Sequence, residues 1–195
     1  PPGRFDLSLT PDRPRFIIDA TELVADDVLW AIDRFVDLPH LELGILGAGD
    51  RSHDFAVAAS PNTEVLTTTD PRLFPAHFRR SSAVIVPGRT AAPASVASLA
   101  ALAAGVPVLV REDGGQAEAV RRTNGGLTFT SDDGFRLGLA AMLDGRRRNQ
   151  MARAARDGYV RDLAVDRWCE RMLSLANTML ARNSWHPSRR TATTG

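Results

Sequence analysis

A pair of glycines follows an apolar run and begins a predicted helix, an arrangement that proteins use to bind phosphate groups. Residues 106–110 are short, apolar and rich in valine, which is typical of a strand covered on both faces. Gly114 and Gly115 come next, with Asp113 as a candidate helix cap. The free N–H groups and the dipole of a helix start attract anions. The pair therefore predicts either a diphosphate site or a tight strand-to-helix turn, because both need the same residues.

Charged and hydroxyl side chains flank the same predicted edge. Arg89 and Arg111 lie at the carboxyl ends of two apolar runs, and Thr90 follows Arg89. An arginine can bind a phosphate through two hydrogen bonds, and a solvated or structurally paired arginine is the alternative. Glu118 lies in the first turn after the glycine pair, where it would either accept ligand hydroxyls or support its own helix. Together with the glycines, these residues form the candidate ligand site.

Other chemistries have little support in the sequence. Four scattered histidines and the single Cys169 lack the spacing of metal ligands and exclude an internal disulfide, so we predict no metal site. Ser95 and Ser98 have no G-x-S-x-G surroundings, so no serine nucleophile is predicted. Gly47-Ala48-Gly49 is similar to a nicotinamide dinucleotide fingerprint, but Ser52 stands where the third glycine belongs. We expect no cofactor.

The composition limits the class of protein. A chain of 195 residues with 44% hydrophobic content is long enough for one domain with a sizeable core. A net charge of +1 gives no general attraction to nucleic acid or to an anionic membrane. No apolar run approaches the ~18 residues of a membrane-spanning helix, and we expect no membrane span. One cysteine suits a reducing compartment, so the predicted location is cytoplasmic.

These candidate residues depend on a predicted α/β fold. Apolar runs that predict strands alternate with helical patterns on short connections, which predicts a doubly wound, Rossmann-like parallel sheet of six strands. If the strand order is 3-2-1-4-5-6, a ligand crevice lies between strands 1 and 4, lined by residues 21–26 and 87–95. The predicted strands are 16–20, 41–46, 63–68, 83–86, 107–111 and 127–130.

Eight predicted helices complete the chain, at 22–36, 50–60, 71–80, 94–104, 116–122, 132–144, 146–161 and 165–181. The proline-rich residues 1–14 are predicted to form a linker, and the polar residues 183–195 a flexible tail. The domain itself is predicted to span residues 15–182. Its last helix carries Trp168, Met172, Leu175 and Met179 on one face. Such a stripe indicates core packing.

Three segments occur in an order and spacing that identify a family. They are LAALAAGVPVLV at residues 99–110, DGGQAEAV at 113–120 and NGGLTFTSDD at 124–133. They resemble the "EAMA-G-PVV", "GG-x-x-E-x-V" and "GLL-x-P-x-D" segments in the C-terminal domain of the GT-B retaining glycosyltransferases, the glycogen synthase and mannosyltransferase-like group. The resemblance implies transfer of a sugar from a nucleoside diphosphate sugar without a metal. It also implies that an N-terminal acceptor domain, or a partner protein, docks on the last helix.

The resemblance fails at the residues that carry the family's chemistry. The family has glutamates that hold the ribose and the donor sugar where this chain has Ala92 and Ala100. It has an arginine and a lysine that neutralise the leaving diphosphate near the positions of Thr21 and Asp26. Two interpretations follow: a donor-side glycosyltransferase domain, or a related inactive domain that serves as a binding or scaffold module. We expect the isolated chain to be inactive.

Overall fold

Six strands form one sheet in the computed structural model, which describes residues 13–68, 70–88, 95–113 and 115–183. The four central strands are short apolar runs that are buried on both faces, as a parallel sheet between helices requires, and the two edge strands are partly exposed. The strands are β1 (Arg15–Asp19), β2 (Glu42–Leu46), β3 (Thr63–Val65), β4 (Ala83–Val86), β5 (Val108–Arg111) and β6 (Gly126–Phe129).

The sheet is parallel throughout, in the order β3-β2-β1-β4-β5-β6. In the register, Ile17 of β1 lies opposite Gly44 of β2 on one side and Val84 of β4 on the other. The predicted fold class, strand order and neighbourhood of β1 and β4 are therefore confirmed. Because the order of the strands reverses between these two central strands, their carboxyl ends border a crevice.

Helices cover both faces of the sheet. They are α1 (Ala25–Val36), α2 (Ser52–Ala58), α3 (Phe74–Arg79), α4 (Val96–Ala103), α5 (Gly115–Thr123), α6 (Asp132–Leu143), α7 (Gly145–Gly158) and α8 (Val165–Asn183). Contacts between helices place α1, α2 and α6 on one face and α3, α4, α5 and α7 on the other. In the first layer Arg34 Nε donates to Asp132 Oδ2 at 2.9 Å, which joins α1 to α6.

An aromatic cluster fills the space between α1, α6 and the sheet. Phe135 of α6 lies with its ring centroid 5.0 Å from Trp30 and 5.2 Å from Phe129. Phe35 joins the cluster to Phe16 of β1, with 5.9 Å between the two centroids. Phe16, Phe35 and Phe135 are fully buried. The cluster explains why the amphipathic α1 and α6 pack on the same face.

Several element ends differ from the sequence prediction. The first helix begins at Ala25 instead of residue 22, because the Asp19 carboxylate accepts the Thr21 N–H and holds the preceding residues in a turn. The predicted helix 50–60 divides into a 3₁₀ turn, Gly49–Arg51, and α2. The predicted helix 146–161 ends early, in a π-helical turn at Tyr159–Leu163. Gly105 ends α4 with a φ of 71°, as expected.

The apolar stripe of α8 is exposed, so the interpretation as core packing is wrong. Trp168 is 60% exposed and Met179 is 61% exposed, and Met172 and Leu175 are also open to solvent. Most of the predicted linker and tail lies outside the described residues. Within residues 13–68, 70–88, 95–113 and 115–183, no helix has the length and apolar character to cross a membrane.

Candidate functional site

A small cavity opens at the carboxyl end of β1, against α3 and α4. Its volume is about 130 Å³. Three polar residues from the end of β1 and the following turn line one part: Asp19, Thr21 and Glu22. The other walls are apolar and come from α3, α4 and the turn before α3: Pro71, Phe74, Phe78, Val96, Ala97 and Ala100. The cavity thus lies at the edge where parallel α/β sheets bind ligands. We call it the β1 cavity.

Asp19 is the buried acidic group of the β1 cavity. It is only 9% exposed, and its Oδ1 accepts the Thr21 N–H at 2.9 Å and the Thr21 hydroxyl at 2.6 Å. Burial raises the pKa of the Asp19 carboxyl above its ordinary value. The hydrogen bonds from Thr21 oppose this effect and the nearby Glu22 carboxylate adds to it. A buried carboxyl with a raised pKa in a cleft is typical of a functional site.

The turn after β2 makes room for this carboxylate. Gly47 has a φ of 66°, and a Cβ on it would come within 2.8 Å of Asp19 Oδ1 and overlap the Thr21 hydroxyl. Gly47 therefore has a packing role beside β1, and this role explains the glycine without a bound dinucleotide.

Arg51 holds the β1–α1 turn in place. Its Nη1 donates to the Leu23 carbonyl at 2.7 Å and its Nη2 donates to the Ala20 carbonyl. Its guanidinium also lies 5.4 Å from the ring centroid of Phe55, a cation–π distance. One side chain thus donates to two carbonyl groups of the turn, and this holds the residues that follow Asp19.

We expect Arg51→Ala to lower the free energy of unfolding by about 1–3 kcal/mol, because two carbonyls lose a charged donor. Urea unfolding followed by circular dichroism measures this loss. Arg72→Ala is the matched control, since Arg72 is largely exposed and pairs with Asp70 two residues earlier. We expect the control to unfold at nearly the wild-type urea concentration. Equal midpoints for the two variants would contradict the role given to Arg51.

Glu22 connects the β1–α1 turn to the start of α4. Its Oε2 accepts the Val96 N–H at 3.0 Å. Ser95 caps the same helix, because its hydroxyl accepts the Ser98 N–H at 3.0 Å. A carboxylate at a helix N-terminus is favoured by the helix dipole. The helix start that faces the crevice therefore carries an acidic group of the protein itself.

Arg111 has structural partners. Its Nε donates to the Pro87 carbonyl at 2.7 Å, and its guanidinium lies 4.8 Å from the Trp30 ring centroid and 5.1 Å from that of Phe129. These contacts join the ends of β4, β5 and β6 to α1. Of the two interpretations of Arg111, this arrangement favours the structurally paired arginine.

The other predicted residues lie apart from the β1 cavity. Gly115 and Glu118 line a separate groove of about 320 Å³ with Arg122 and Trp168, between α5 and the start of α8. Arg89, Thr90, Gly114 and Ala92 lie outside the described residues. Ala100, by contrast, lines the β1 cavity directly. The structure thus brings Ala100 together with Asp19, a residue that the sequence analysis did not identify.

A sequence signal for Asp19 existed. An aspartate at the end of an apolar run, followed two residues later by Thr21, predicts a local turn in which the carboxylate accepts the backbone N–H. Nothing in the sequence indicated that Asp19 would be buried beside Ala100, because these residues are far apart in the chain.

Comparison with known structures supports the fold. A sucrose-phosphate synthase from Thermosynechococcus elongatus matches 89% of this chain over 47% of its own length, with a TM-score of 0.71 and 16% identity. A glycosyltransferase from Rickettsia africae matches 88% over 49% of its length, with a TM-score of 0.71 and 11% identity. The chain thus spans about half the length of these two proteins.

A third structure is similar to this chain over most of its own length. It is the C-terminal domain of a glycosyl transferase group 1 family protein, LpcC, from Francisella tularensis. The similarity covers 78% of this chain and 87% of that domain, with a TM-score of 0.54 and 13% identity. No curated protein sequence matches this chain significantly.

A family model establishes the relationship at the level of sequence. The model is described as glycosyl transferases group 1, and it matches residues 11–144, which is more than half of the chain. The matched region includes all six strands, the β1 cavity and the glycine pair. This chain therefore belongs to the group 1 glycosyltransferases, and its sheet has the GT-B, Rossmann-like form of its structural neighbours.

Proposed function

We propose that this chain is the donor-side domain of a group 1 glycosyltransferase, and that it binds a nucleoside diphosphate sugar at the carboxyl edge of the sheet. The observation that carries the proposal is the position of the β1 cavity beside the crevice between β1 and β4. Open parallel sheets bind their ligands at that edge. The family match supports the same substrate class.

The reaction that such a domain would serve is transfer of the sugar from the nucleoside diphosphate to an acceptor. Its chemical demand is stabilisation of the leaving diphosphate. Gly114 and Gly115 remain our candidates for that role, since a helix start supplies N–H groups and a positive dipole end. Arg89 and Thr90 are further candidates for phosphate contacts, and Glu118 is a candidate for a ligand hydroxyl.

A second function, a binding or scaffold module without catalysis, has its own support. Glu22 places a carboxylate on the first turn of α4, and an acidic group there repels a diphosphate in the crevice. Ala100 offers no hydrogen-bond acceptor to the β1 cavity. Arg111, a candidate phosphate ligand, already contacts Pro87 and two aromatic rings. These features favour a module that binds a partner and does not catalyse sugar transfer.

The partner in either case is proposed to dock on α8. The exposed side chains of Trp168, Met172, Leu175 and Met179 offer an apolar surface at the end of the described chain. An N-terminal acceptor domain or a separate partner protein would cover these side chains.

Titration of the ¹⁵N-labelled chain with UDP, GDP and ADP tests ligand binding. We expect weak binding, with amide shifts at Thr21, Ala97 and Gly115, and little discrimination between bases, since phosphate contacts do not touch the base. No shifts at millimolar nucleotide would overturn the donor-binding proposal and favour the scaffold module.

A second measurement tests turnover. We expect the isolated chain to release no nucleoside diphosphate from a panel of nucleotide sugars, because removal of even one preorganised charge-stabilising group can cost ~10²–10³ in rate. A coupled assay for the released diphosphate, with an active glycosyltransferase as the positive control, measures this. Release above the buffer control would show that the chain is catalytic on its own.

A further inference from the structure

We propose that Asp19 is the carboxylate that binds the ribose hydroxyl groups of the nucleotide in the β1 cavity, where the side chain of Ala100 provides no hydrogen-bond acceptor. This inference rests on the proposed function, because it assumes that the ligand is a nucleotide sugar. The ligand hydroxyl groups are then bound from the end of β1, by Asp19, and not from α4, where Ala100 lies.

Burial of Asp19 is the first argument. The residue is only 9% exposed, and an ionised carboxylate is costly to bury unless hydrogen bonds satisfy it. Both hydrogen bonds from Thr21 reach Oδ1. Within the part of the chain that the structure describes, Oδ2 accepts no hydrogen bond. Every fully buried side-chain oxygen there has a partner, so Oδ2 is not fully buried. One oxygen of the carboxylate is therefore accessible and available to a ligand.

The shape and chemistry of the cavity are the second argument. At about 130 Å³ it is smaller than the ~300–1,000 Å³ of pockets that enclose whole ligands, so it fits one ring of a larger molecule. Pro71, Phe74 and Phe78 offer apolar surface opposite the polar residues. A sugar ring suits this division, since its C–H groups pack on apolar walls while adjacent hydroxyls donate to a carboxylate.

Preorganisation of Asp19 is the third argument. The two hydrogen bonds from Thr21 fix the rotamer of the carboxylate, and Gly47 allows its close approach to the turn after β2. Arg51 holds the carbonyls of Ala20 and Leu23 on either side of Thr21. A group that is fixed before the ligand arrives loses little conformational entropy on binding. The turn thus has the rigidity that a binding carboxylate requires.

The test compares nucleotides that differ only in the ribose hydroxyls. Isothermal titration of the wild-type chain with ADP, GDP and UDP, and with their 2′,3′-dideoxy forms, measures the discrimination. We expect the ribose forms to bind about tenfold more tightly, as loss of hydrogen bonds to a charged group predicts. In Asp19→Asn the amide oxygen still accepts from Thr21, but the second oxygen is replaced by an NH₂ donor. We expect this variant to lose most of the discrimination.

The control variant is Asp37→Asn, which makes the same chemical change at an exposed position at the end of α1, on the opposite edge of the sheet. We expect it to discriminate as the wild type does. Circular dichroism checks that both variants fold. A second measurement needs no variant: the ¹³C resonance of the Asp19 carboxyl in the wild type is expected to shift with ribonucleotides and not with dideoxynucleotides.

The outcomes distinguish failure of this inference from failure of the proposed function. If no nucleotide binds to the wild type, the proposed function fails, and this inference fails with it. If nucleotides bind but the dideoxy forms bind equally well, the inference alone is wrong. The same conclusion follows if Asp19→Asn keeps the discrimination or if the Asp19 carboxyl resonance does not respond to ribonucleotides.

Discussion

Replacement of Phe135 by alanine is expected to lower the free energy of unfolding by about 3–5 kcal/mol. Phe135 is fully buried on α6, and its ring contacts Trp30 and Phe35 of α1 and Phe129 of β6. The substitution removes the apolar area of one ring and leaves a cavity among three other rings, which cannot collapse without moving a helix. Urea unfolding with tryptophan fluorescence and circular dichroism measures the loss.

Leu137→Ala is the matched control on the same helix. Leu137 lies two residues further along α6 and is 72% exposed, so its truncation is expected to change the unfolding free energy by less than about 0.5 kcal/mol. A loss of similar size in both variants would mean that α6 contributes through helix formation and not through the aromatic cluster.

The second large effect is expected from Gly126→Ala in β6. Gly126 lies opposite Val108 of β5, and a Cβ on it would overlap the Val108 carbonyl oxygen and lie 2.8 Å from Val108 N. The obstacle is backbone, so no side-chain rotation relieves it, and the two strands must separate. We expect a loss of about 3 kcal/mol in the free energy of unfolding, at the upper end of overpacking effects.

Gly145→Ala tests the same change where space is available. Gly145 is the first residue of α7, and a Cβ on it would have Arg148 Nη2 as its nearest neighbour, at 3.9 Å. Alanine in a helix costs less backbone entropy than glycine, so we expect a gain of about 0.5–1 kcal/mol. A lower free energy of unfolding in Gly126→Ala, together with a higher one in Gly145→Ala, would establish that the overlap with Val108 causes the loss. A neutral Gly126→Ala variant would contradict the β5–β6 register.

The last helix, α8, is exposed along most of its length. This helix contributes little buried apolar area, since residues 165–181 are all exposed. Substitutions at Trp168 or Met172 are therefore expected to change the free energy of unfolding little.

Much of the fold could be predicted from the sequence because local patterns determine it. Apolar runs such as residues 106–110 and 83–86 predict buried strands, and strand-helix alternation on short connections admits few topologies. The order β3-β2-β1-β4-β5-β6, with its crevice between β1 and β4, is one of these topologies, and the structure confirms the order. The three family-like segments predicted the group 1 glycosyltransferase relationship, and the family match confirms it.

The side-chain arrangement at the site depended on tertiary structure. Arg111 follows an apolar strand, as a phosphate-binding arginine would, and only the positions of Trp30, Phe129 and Pro87 show that it has structural partners. The stripe on α8 has core-like spacing, yet no described element covers it, since periodicity indicates an apolar face and not what lies against it.

Asp19 shows the physical reason why the fold could be predicted from the sequence and the arrangement of the site could not. Its type and its turn with Thr21 are local properties, which the sequence determines. Its burial, its raised pKa and its place beside Ala100 arise because β1 and α4, about 80 residues apart in the chain, meet at one edge of the sheet. Strand and helix formation depends on short-range periodicity, whereas the chemistry of a cavity depends on which distant side chains share the same low-dielectric space.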